Sequence, residues 1–436
     1  MRFPAAFLAL AVLLPGCDGK APEPTDASSK ADSGGTGSGG DPLAGFPKGE
    51  QTFHFGASPA RTTIKFDSVM PIMLIPGSTN YVQGSATIDF EAGKGSCHLV
   101  VPADSLQTGQ ADRDRAMWGT LYLDTKKHPT IEFKSEKAVF TPPHSWKIDG
   151  KFTLYGTTKD ISVNADVRRL PPVVAQKVNF GAGHWIKVKV EPFKINIADY
   201  GMKVPKNAVA TVNPEWTVDI AIFGTTEKPD PAMAFRKKDD EEPQKAVRIP
   251  KVTPDGLEGA IYEFGLKSQM TTMSATSETE LETVTASTNA VHGLLGIDLE
   301  KGTGKVKMRT LVSTLRTGID LRDEKLRGPD WLEADKFPEI AFESTRASRK
   351  DRATWEVEGN FTMHGVTKPV RFEAKMTEIP LELVEQAKWG EKPGLGFSAR
   401  FTVKLSEHGI KIPAVSAGKV KDEWVVSVDL KGLKAD

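Results

Sequence analysis

Three things are scarce in this chain of 436 residues. Cysteine occurs twice, as Cys17 and Cys97, which excludes a framework of several disulfides. The eight histidines are scattered, with no HxH or HxxxH pair, so no metal site is expected. Charge of one sign is missing as well: 57 acidic residues offset 57 basic ones, leaving no global basic field to attract nucleic acid. No GxSxG elbow, HExxH pair or phosphate-binding glycine loop occurs, so the chain reads as non-enzymatic and free of a cofactor.

What the chain does contain is itself, twice. Residues 53–180 return 209 positions later almost without gaps: Ile88-Asp89 as Ile297-Asp298, Trp146 as Trp355, Gly150-Lys151-Phe152-Thr153 as Gly359-Asn360-Phe361-Thr362. Past Pro192 the offset falls to 208 and holds to the end, aligning Glu215-Trp216 with Glu423-Trp424. Two domains follow, 46–224 and 257–436, each large enough to bury one core. Between them, 225–256 carries a run of both charge signs, Arg236 to Glu242, and reads as a solvated spacer. No acidic or histidine constellation appears in both copies: His364 faces Tyr155 in the alignment, and His408 faces Tyr200.

The N-terminus reads as a targeting segment. Arg2 is followed by an apolar stretch from Phe3 to Leu14, too short to span a bilayer, and then by Leu14-Pro15-Gly16-Cys17. Small residues before a cysteine suit a lipoprotein signal (1–17) with Cys17 as the lipidated residue; an ordinary secretory signal is the other reading. Residues 18–45, rich in Gly, Ser, Pro and Asp, read as a disordered tether. The protein is thus expected at the bacterial cell envelope, facing the periplasm and held to one of its membranes by an N-terminal lipid anchor.

Inside each copy the apolar period is two, as at Phe397/Ala399/Phe401/Val403/Leu405 and Ile186/Val188/Val190, the pattern of strands with one buried face. About eight such strands per copy predict an all-β architecture: two tandem antiparallel eight-stranded barrels, each with one or two short helices. The helices are expected after Thr108-Gly109 and Thr317-Gly318, ahead of Pro129 and Pro338. The change of offset predicts a β-bulge at Glu191-Pro192 in copy 1, because two residues separate Val190 from Phe193 where one separates Ala399 from Phe401. Gly156 and Gly365 stand where a tight turn needs positive φ.

The run Leu315-x-Thr317-Gly318, Arg322-Asp323, Asp330-Trp331-Leu332, Lys336-Phe337-Pro338-x-Ile340-x-Phe342 and Gly359-x-Phe361-Thr362-x-His364-Gly365-Val366-Thr367-Lys368 resembles the YceI-like proteins, and copy 1 repeats it less closely. The resemblance implies a lipocalin-like barrel and binding of a polyisoprenoid or isoprenoid quinone. Lys325 and Ala116 stand where the family usually has a histidine, and copy 1 has Tyr155-Gly156-Thr157-Thr158-Lys159 for the His-Gly-Val-Thr-Lys segment. These motifs, with Arg113-Asp114 and Arg322-Asp323, read as turn chemistry and corner salt bridges.

An eight-stranded barrel is either filled by its own side chains or just able to hold one small ligand, and the alternation does not sort one case from the other. The family resemblance favours hollow lumens holding an apolar lipid, as a carrier or reservoir; the alternative is a non-catalytic scaffold with filled barrels. The inward residues offered as lumen contacts are Ile131, Phe133, Phe152, Leu154, Ile161, Val188, Phe193 and Trp216 in copy 1, and Ile340, Phe342, Phe361, Met363, Phe372, Phe397, Phe401 and Trp424 in copy 2. The resemblance also suggests that the two barrels pair as a covalent pseudo-dimer. One apolar segment has a polar counterpart: Val69-Met70-Pro71-Ile72-Met73-Leu74-Ile75-Pro76 aligns with Glu278 to Thr285. It reads as a lip on barrel 1, as a patch docking on barrel 2, or as an edge strand under neighbouring loops.

Overall fold

The computed structural model describes residues 45–435, apart from 71–72, 109–110, 178–179, 204–212, 236–248, 267–269 and 280. Cys17, the signal and nearly all of the tether lie outside the described residues. Copy 1 begins with β1 (Glu50–Phe55), β2 (Thr63–Met70), β3 (Met73–Thr79), β4 (Gln83–Asp89) and β5 (Lys94–Pro102). Helix α1 (Ala111–Trp118) leads into β6 (Thr130–Thr141), β7 (Ser145–Leu154) and β8 (Thr157–Leu170), and α2 (Pro172–Lys177) into β9 (Trp185–Asn196) and β10 (Glu215–Thr225).

Copy 2 repeats the order. Its strands are β11 (Ala260–Phe264), β12 (Thr271–Glu278), β13 (Thr283–Thr288), β14 (Val291–Asp298), β15 (Thr303–Leu311), β16 (Glu339–Arg349), β17 (Thr354–Met363), β18 (Val366–Ile379), β19 (Gly394–Lys404) and β20 (Glu423–Lys434). Its helices are α3 (Asp320–Arg327) and α4 (Leu381–Gln386).

Ten segments per copy make eight staves. β1 and β2 lie along the same edge of β10, β1 pairing at His54 and Phe55 and β2 from Thr63 to Ser68, with a 3₁₀ turn between them. β3 and β4 form the next stave, broken at 80–82. The circuit closes antiparallel throughout, and copy 2 closes the same way through β11 and β20. The bulge falls where the change of offset placed it: Val218 faces Phe193 and Ile220 faces Val190, so Asp219 alone opposes Glu191 and Pro192. β19 and β20 pair without a shift.

Polar residues at the corners lock turns. Tyr155 (φ 51°) and Gly156 (φ 72°) join β7 to β8, and His364 (φ 52°) and Gly365 (φ 71°) join β17 to β18, with positive φ at both central residues as a type I′ turn requires. The His364 ring nitrogens lie 2.7 Å from Glu333 Oε2 and 3.0 Å from the His408 carbonyl, which fixes the turn to the end of the barrel. The Arg-Asp pairs are not corner salt bridges. Asp114 Oδ1 accepts from Thr108 N (2.7 Å) and Thr108 Oγ1, while Arg113 Nε donates to that hydroxyl (2.8 Å) and Nη2 to the Thr108 carbonyl (3.1 Å). Both side chains therefore clamp one threonine at the helix entrance. Burial pushes the Asp114 carboxyl up to about 6 against the pull of these hydrogen bonds.

Copy 2 has the same clamp on Thr317, and Arg322 reaches further. Its Nη1 donates to the Ala60 carbonyl (3.0 Å) in barrel 1 and to Glu282 Oε1 (3.1 Å). Arg61 lies over the Phe180 ring at 4.1 Å, and its charge acts on Glu282. Beside this charged corner, Leu281, in the β12–β13 connection, packs into barrel 1 among Leu170, Ala175, Phe180, Trp185 and Phe223. In return Ile75 of β3 packs into barrel 2 among Met270, Ile379, Val384, Trp389 and Leu433. Equivalent hairpins thus enter equivalent satellite clusters, the arrangement of a two-fold interface made within one chain. Of the apolar segment 69–76, Pro71 and Ile72 and the neighbouring side chains through Leu74 lie outside the described residues, and Ile75 is a docking contact.

The charge run of the 225–256 segment lies outside the described residues, but both of its described ends are held by contacts. Phe235 packs on Tyr81 with ring centroids 4.9 Å apart, and buried Val252 donates its N–H to His292 Nδ1 at 3.1 Å.

Glu282 is buried between two arginines, so Glu282→Ala leaves uncompensated cations in the interface. A loss of about 3–5 kcal/mol in unfolding free energy is expected, with Glu282→Gln milder, measured by denaturant titration. A loss under about 1 kcal/mol for the alanine variant would show that the charged corner does not hold the barrels together.

Candidate ligand cavity

Barrel 1 encloses an apolar cavity of about 180 Å³. All eight lumen residues expected for copy 1 line it: Ile131, Phe133, Phe152, Leu154, Ile161, Val188, Phe193 and Trp216. Alternation along β6 to β10 turns each of them inward, and the antiparallel register sets them in facing rows. Barrel 2 has a cavity one third that size, about 60 Å³. Of its expected residues, Ile340, Phe361, Met363 and Trp424 line that small cavity, whereas Phe342, Phe372 and Phe397 are buried core and Phe401 packs against them.

Two exchanges account for the difference. Phe372 stacks on Phe401 (centroids 4.7 Å apart, planes at 14°) and touches Phe342 (5.4 Å); Phe397 sits 6.3 Å from Phe264. Barrel 1 keeps every ring of this cage, as Phe193, Phe133 and Phe55, but has Val163 for Phe372 and Val188 for Phe397. The cage is present and its filling is gone. At the other end of the lumen the exchange runs the opposite way. Phe66 of barrel 1 stacks on Trp216 at 5.0 Å, and it fits because its strand neighbour is Gly77, where a Cβ would lie 2.0 Å from Phe66 Cζ. Barrel 2 has Ala275 and Ala286 in those places, and its small void lies there against Trp424.

Val163 was not among the expected lumen residues. The signal was available in the repeat, since a valine aligned with a phenylalanine at an inward position is a change of lumen volume. Leu99 and Cys97 on β5 also line the cavity, on a strand with no large aromatic to mark its inward face. Burial pushes the Cys97 thiol up to about 11, so it is protonated at neutral pH and weakly nucleophilic. Among the described residues no group of three or more His, Cys, Asp or Glu could hold a metal ion.

The molecule is therefore a tandem of lipocalin-like barrels, one hollow and one filled. The model of the YceI-like domain matches residues 55–223 and 265–432, and the chain belongs to that family. It is 32% identical over 132 residues to the UPF0312 protein of Pseudomonas fluorescens (30% of this chain, 64% of that one) and 34% over 127 residues to Protein YceI of Escherichia coli O6:H1 (29% and 61%). The chain thus spans less than two thirds of these curated relatives. Among solved structures it is similar to Burkholderia cenocepacia BcnA (TM-score 0.34, 17% identity, 38% of this chain and 98% of that one). It is also similar to a polyisoprenoid binding domain from Saccharophagus degradans implicated in plant cell wall breakdown (TM-score 0.31, 19% identity, 40% and 97%).

Two predictions test the cavity. Phe397→Val opens a void in barrel 2 and is expected to cost about 2–4 kcal/mol, whereas Val188→Phe fills one in barrel 1 and leaves stability equal or higher; denaturant titration separates them. With Cys17 replaced by serine, labelling of Cys97 by N-ethylmaleimide is expected to rise about tenfold per pH unit from 7 to 10. A rate that levels off near pH 8.5 would mean an ordinary, water-exposed thiol.

Proposed function

We propose that barrel 1 binds one apolar lipid in its lumen and that barrel 2 serves as its structural partner. The observation that carries this reading is the contrast of lumens: the same aromatic cage stands in both, and only barrel 1 leaves it empty. A dry apolar void of about 150 Å³ takes up benzene rather than water, so a cavity of about 180 Å³ takes roughly one to two isoprene units on that scale. A longer isoprenoid or isoprenoid quinone extends out of the lumen or widens it. Phe133, Phe152 and Phe193, only partly buried, are the rings free to move.

Energetics suggest the role. Ten carbons leaving water gain roughly 8 kcal/mol at about 0.8 kcal/mol per carbon, but they gain about as much by entering a bilayer. The barrel's advantage over a membrane is small, which suits a carrier or reservoir. Cys17 supplies the means of staying near that membrane: as the lipidated residue it would anchor the chain to the bacterial cell envelope, facing the periplasm. In this role the chain binds and transfers, with no chemical step.

Native mass spectrometry of the full chain, with organic extraction, tests the reading, an isoprenoid being offered first. One lipid per chain is expected. Val163→Phe/Val188→Phe should lower loading at least tenfold, and Phe372→Val/Phe397→Val should add a second lipid. A chain that stays empty when offered isoprenoid, or a Val163→Phe/Val188→Phe variant that loads like its parent, refutes it. For the anchor, Cys17→Ser should move the protein from the detergent phase to the aqueous phase in Triton X-114; no change of phase would exclude lipidation at Cys17.

A further inference from the structure

The rims around the two barrels differ as much as their lumens. After α1 the chain of copy 1 runs Trp118-Gly119-Thr120-Leu121-Tyr122-Leu123, and the aligned copy 2 segment after α3 runs Arg327-Gly328-Pro329-Asp330-Trp331-Leu332. Leu121 is 67% exposed, with Val173 the most exposed large apolar side chain among the described residues of copy 1. Its counterpart is Asp330, which belongs in water. Trp118 and Tyr122 are half-buried beside it, packed on the cluster that includes Leu106 and Leu123, and those two leucines also line the cavity. The apolar tip is therefore the outer surface of the hollow lumen's own wall.

Charge changes in the same direction. Across 115–128, Arg115, Lys126 and Lys127 stand against Asp124, a net charge of +2. Across 324–337, three basic residues stand against Glu324, Asp330, Glu333 and Asp335, a net charge of −1. Lys126, aligned with Asp335, and Lys127 are both exposed. An exposed leucine, flanked by a half-buried tryptophan and tyrosine and followed in the chain by the exposed cations Lys126 and Lys127, is the composition that settles in the headgroup layer of an anionic bilayer.

From this geometry we infer that the α1 tip of barrel 1 is a docking face for an anionic membrane surface, bringing the hollow lumen against the lipid phase, and that the matching tip of barrel 2 has lost that property. The occupant is a bilayer because the face combines cations with an apolar tip too small for a stable protein interface. The inference stands on the rim, and the lumen reading explains only what the docking would be for.

Flotation of the full chain carrying Cys17→Ser, so that nothing can be attached at that residue, tests it. Vesicles of 30% phosphatidylglycerol in phosphatidylcholine should carry the protein, weakly at high salt, and vesicles of phosphatidylcholine alone much less. Leu121→Asp and Lys126→Glu/Lys127→Glu should each weaken binding about tenfold or more, while Asp330→Leu in barrel 2 strengthens it. Trp118 is left unchanged because its Nε1 donates to the Leu106 carbonyl at 2.8 Å and holds the fold. No binding to the phosphatidylglycerol vesicles, or equal binding by both variants, overturns the docking face, and so does a Leu121→Asp effect seen only on capture of another protein. Lumen loading from an ethanolic isoprenoid solution, read by mass spectrometry, should be unchanged in both variants. A protein that floats but never loads refutes the lumen reading alone, and one that loads but never floats refutes the docking face alone.

Discussion

The constraint on which the rest depends is the fixed radius of an eight-stave barrel. Once the circuit from β1 through β10 is closed, the interior has a set volume that must be taken up by inward side chains or by a guest. Close packing is the normal solution in a protein interior, and barrel 2 adopts it with Phe372 and Phe397 at the centre of its cage. Barrel 1 does not. Removing two rings from a closed cage without collapse is feasible because the cage is backbone-defined: the ladders hold the staves apart whatever the lumen contains. In a helical bundle the same deletions would let the helices close on the void.

Tandem duplication explains why the two lumens can differ so freely. The barrels meet through outer surfaces, the reciprocal entry of Ile75 and Leu281 into satellite clusters and the Arg61–Glu282–Arg322 corner. None of the four exchanged positions that decide lumen volume takes part in that contact. A symmetric dimer of one gene product must keep both copies identical, whereas a fused pair lets each copy change alone, and the linker keeps the partners at high effective concentration. The interface itself has diverged: Arg61 of the charged corner is aligned with Met270, which is buried in the satellite cluster that receives Ile75. That breaks the equivalence of the halves and leaves a single way to pair them.

Much of this was legible in the sequence. Alternation identified the inward face of β6–β10 and of β16–β20, because a period of two is a local property of the chain. The bulge at Glu191-Pro192 could be read from one extra residue, since only a bulge keeps Val190 and Phe193 on the same side. The two positive-φ turns followed from glycine. What escaped was everything that depends on a sum over distant residues. Hollow or filled is decided by eight staves together, and no stave alone shows it. The breaks at 56–62 and 80–82 escaped because a stave interrupted by a turn looks like two strands in one dimension. The double duty of Arg322 escaped because its reach to Ala60 depends on how the two copies pair, which a motif within one copy does not show.

In the proposed carrier role, a dry, small lumen sets the character of the exchange. Its wall offers almost no polar contact, so recognition rests on shape and length, and a guest longer than the void must move Phe133, Phe152 or Phe193 out of contact with their neighbours. The work of moving them is repaid by burying the added carbons, at about the same rate that a bilayer repays. The balance point is therefore set by how far the cage opens, a property of ring packing, and the rate is set by how closely the lumen is brought to the lipid phase. Affinity and access are thus built into different parts of the same barrel, the first into Val163, Val188 and the rings around them, the second into the rim outside Leu106 and Leu123. Each can change without the other, and in barrel 2 the lumen is packed with rings and the rim carries acidic residues.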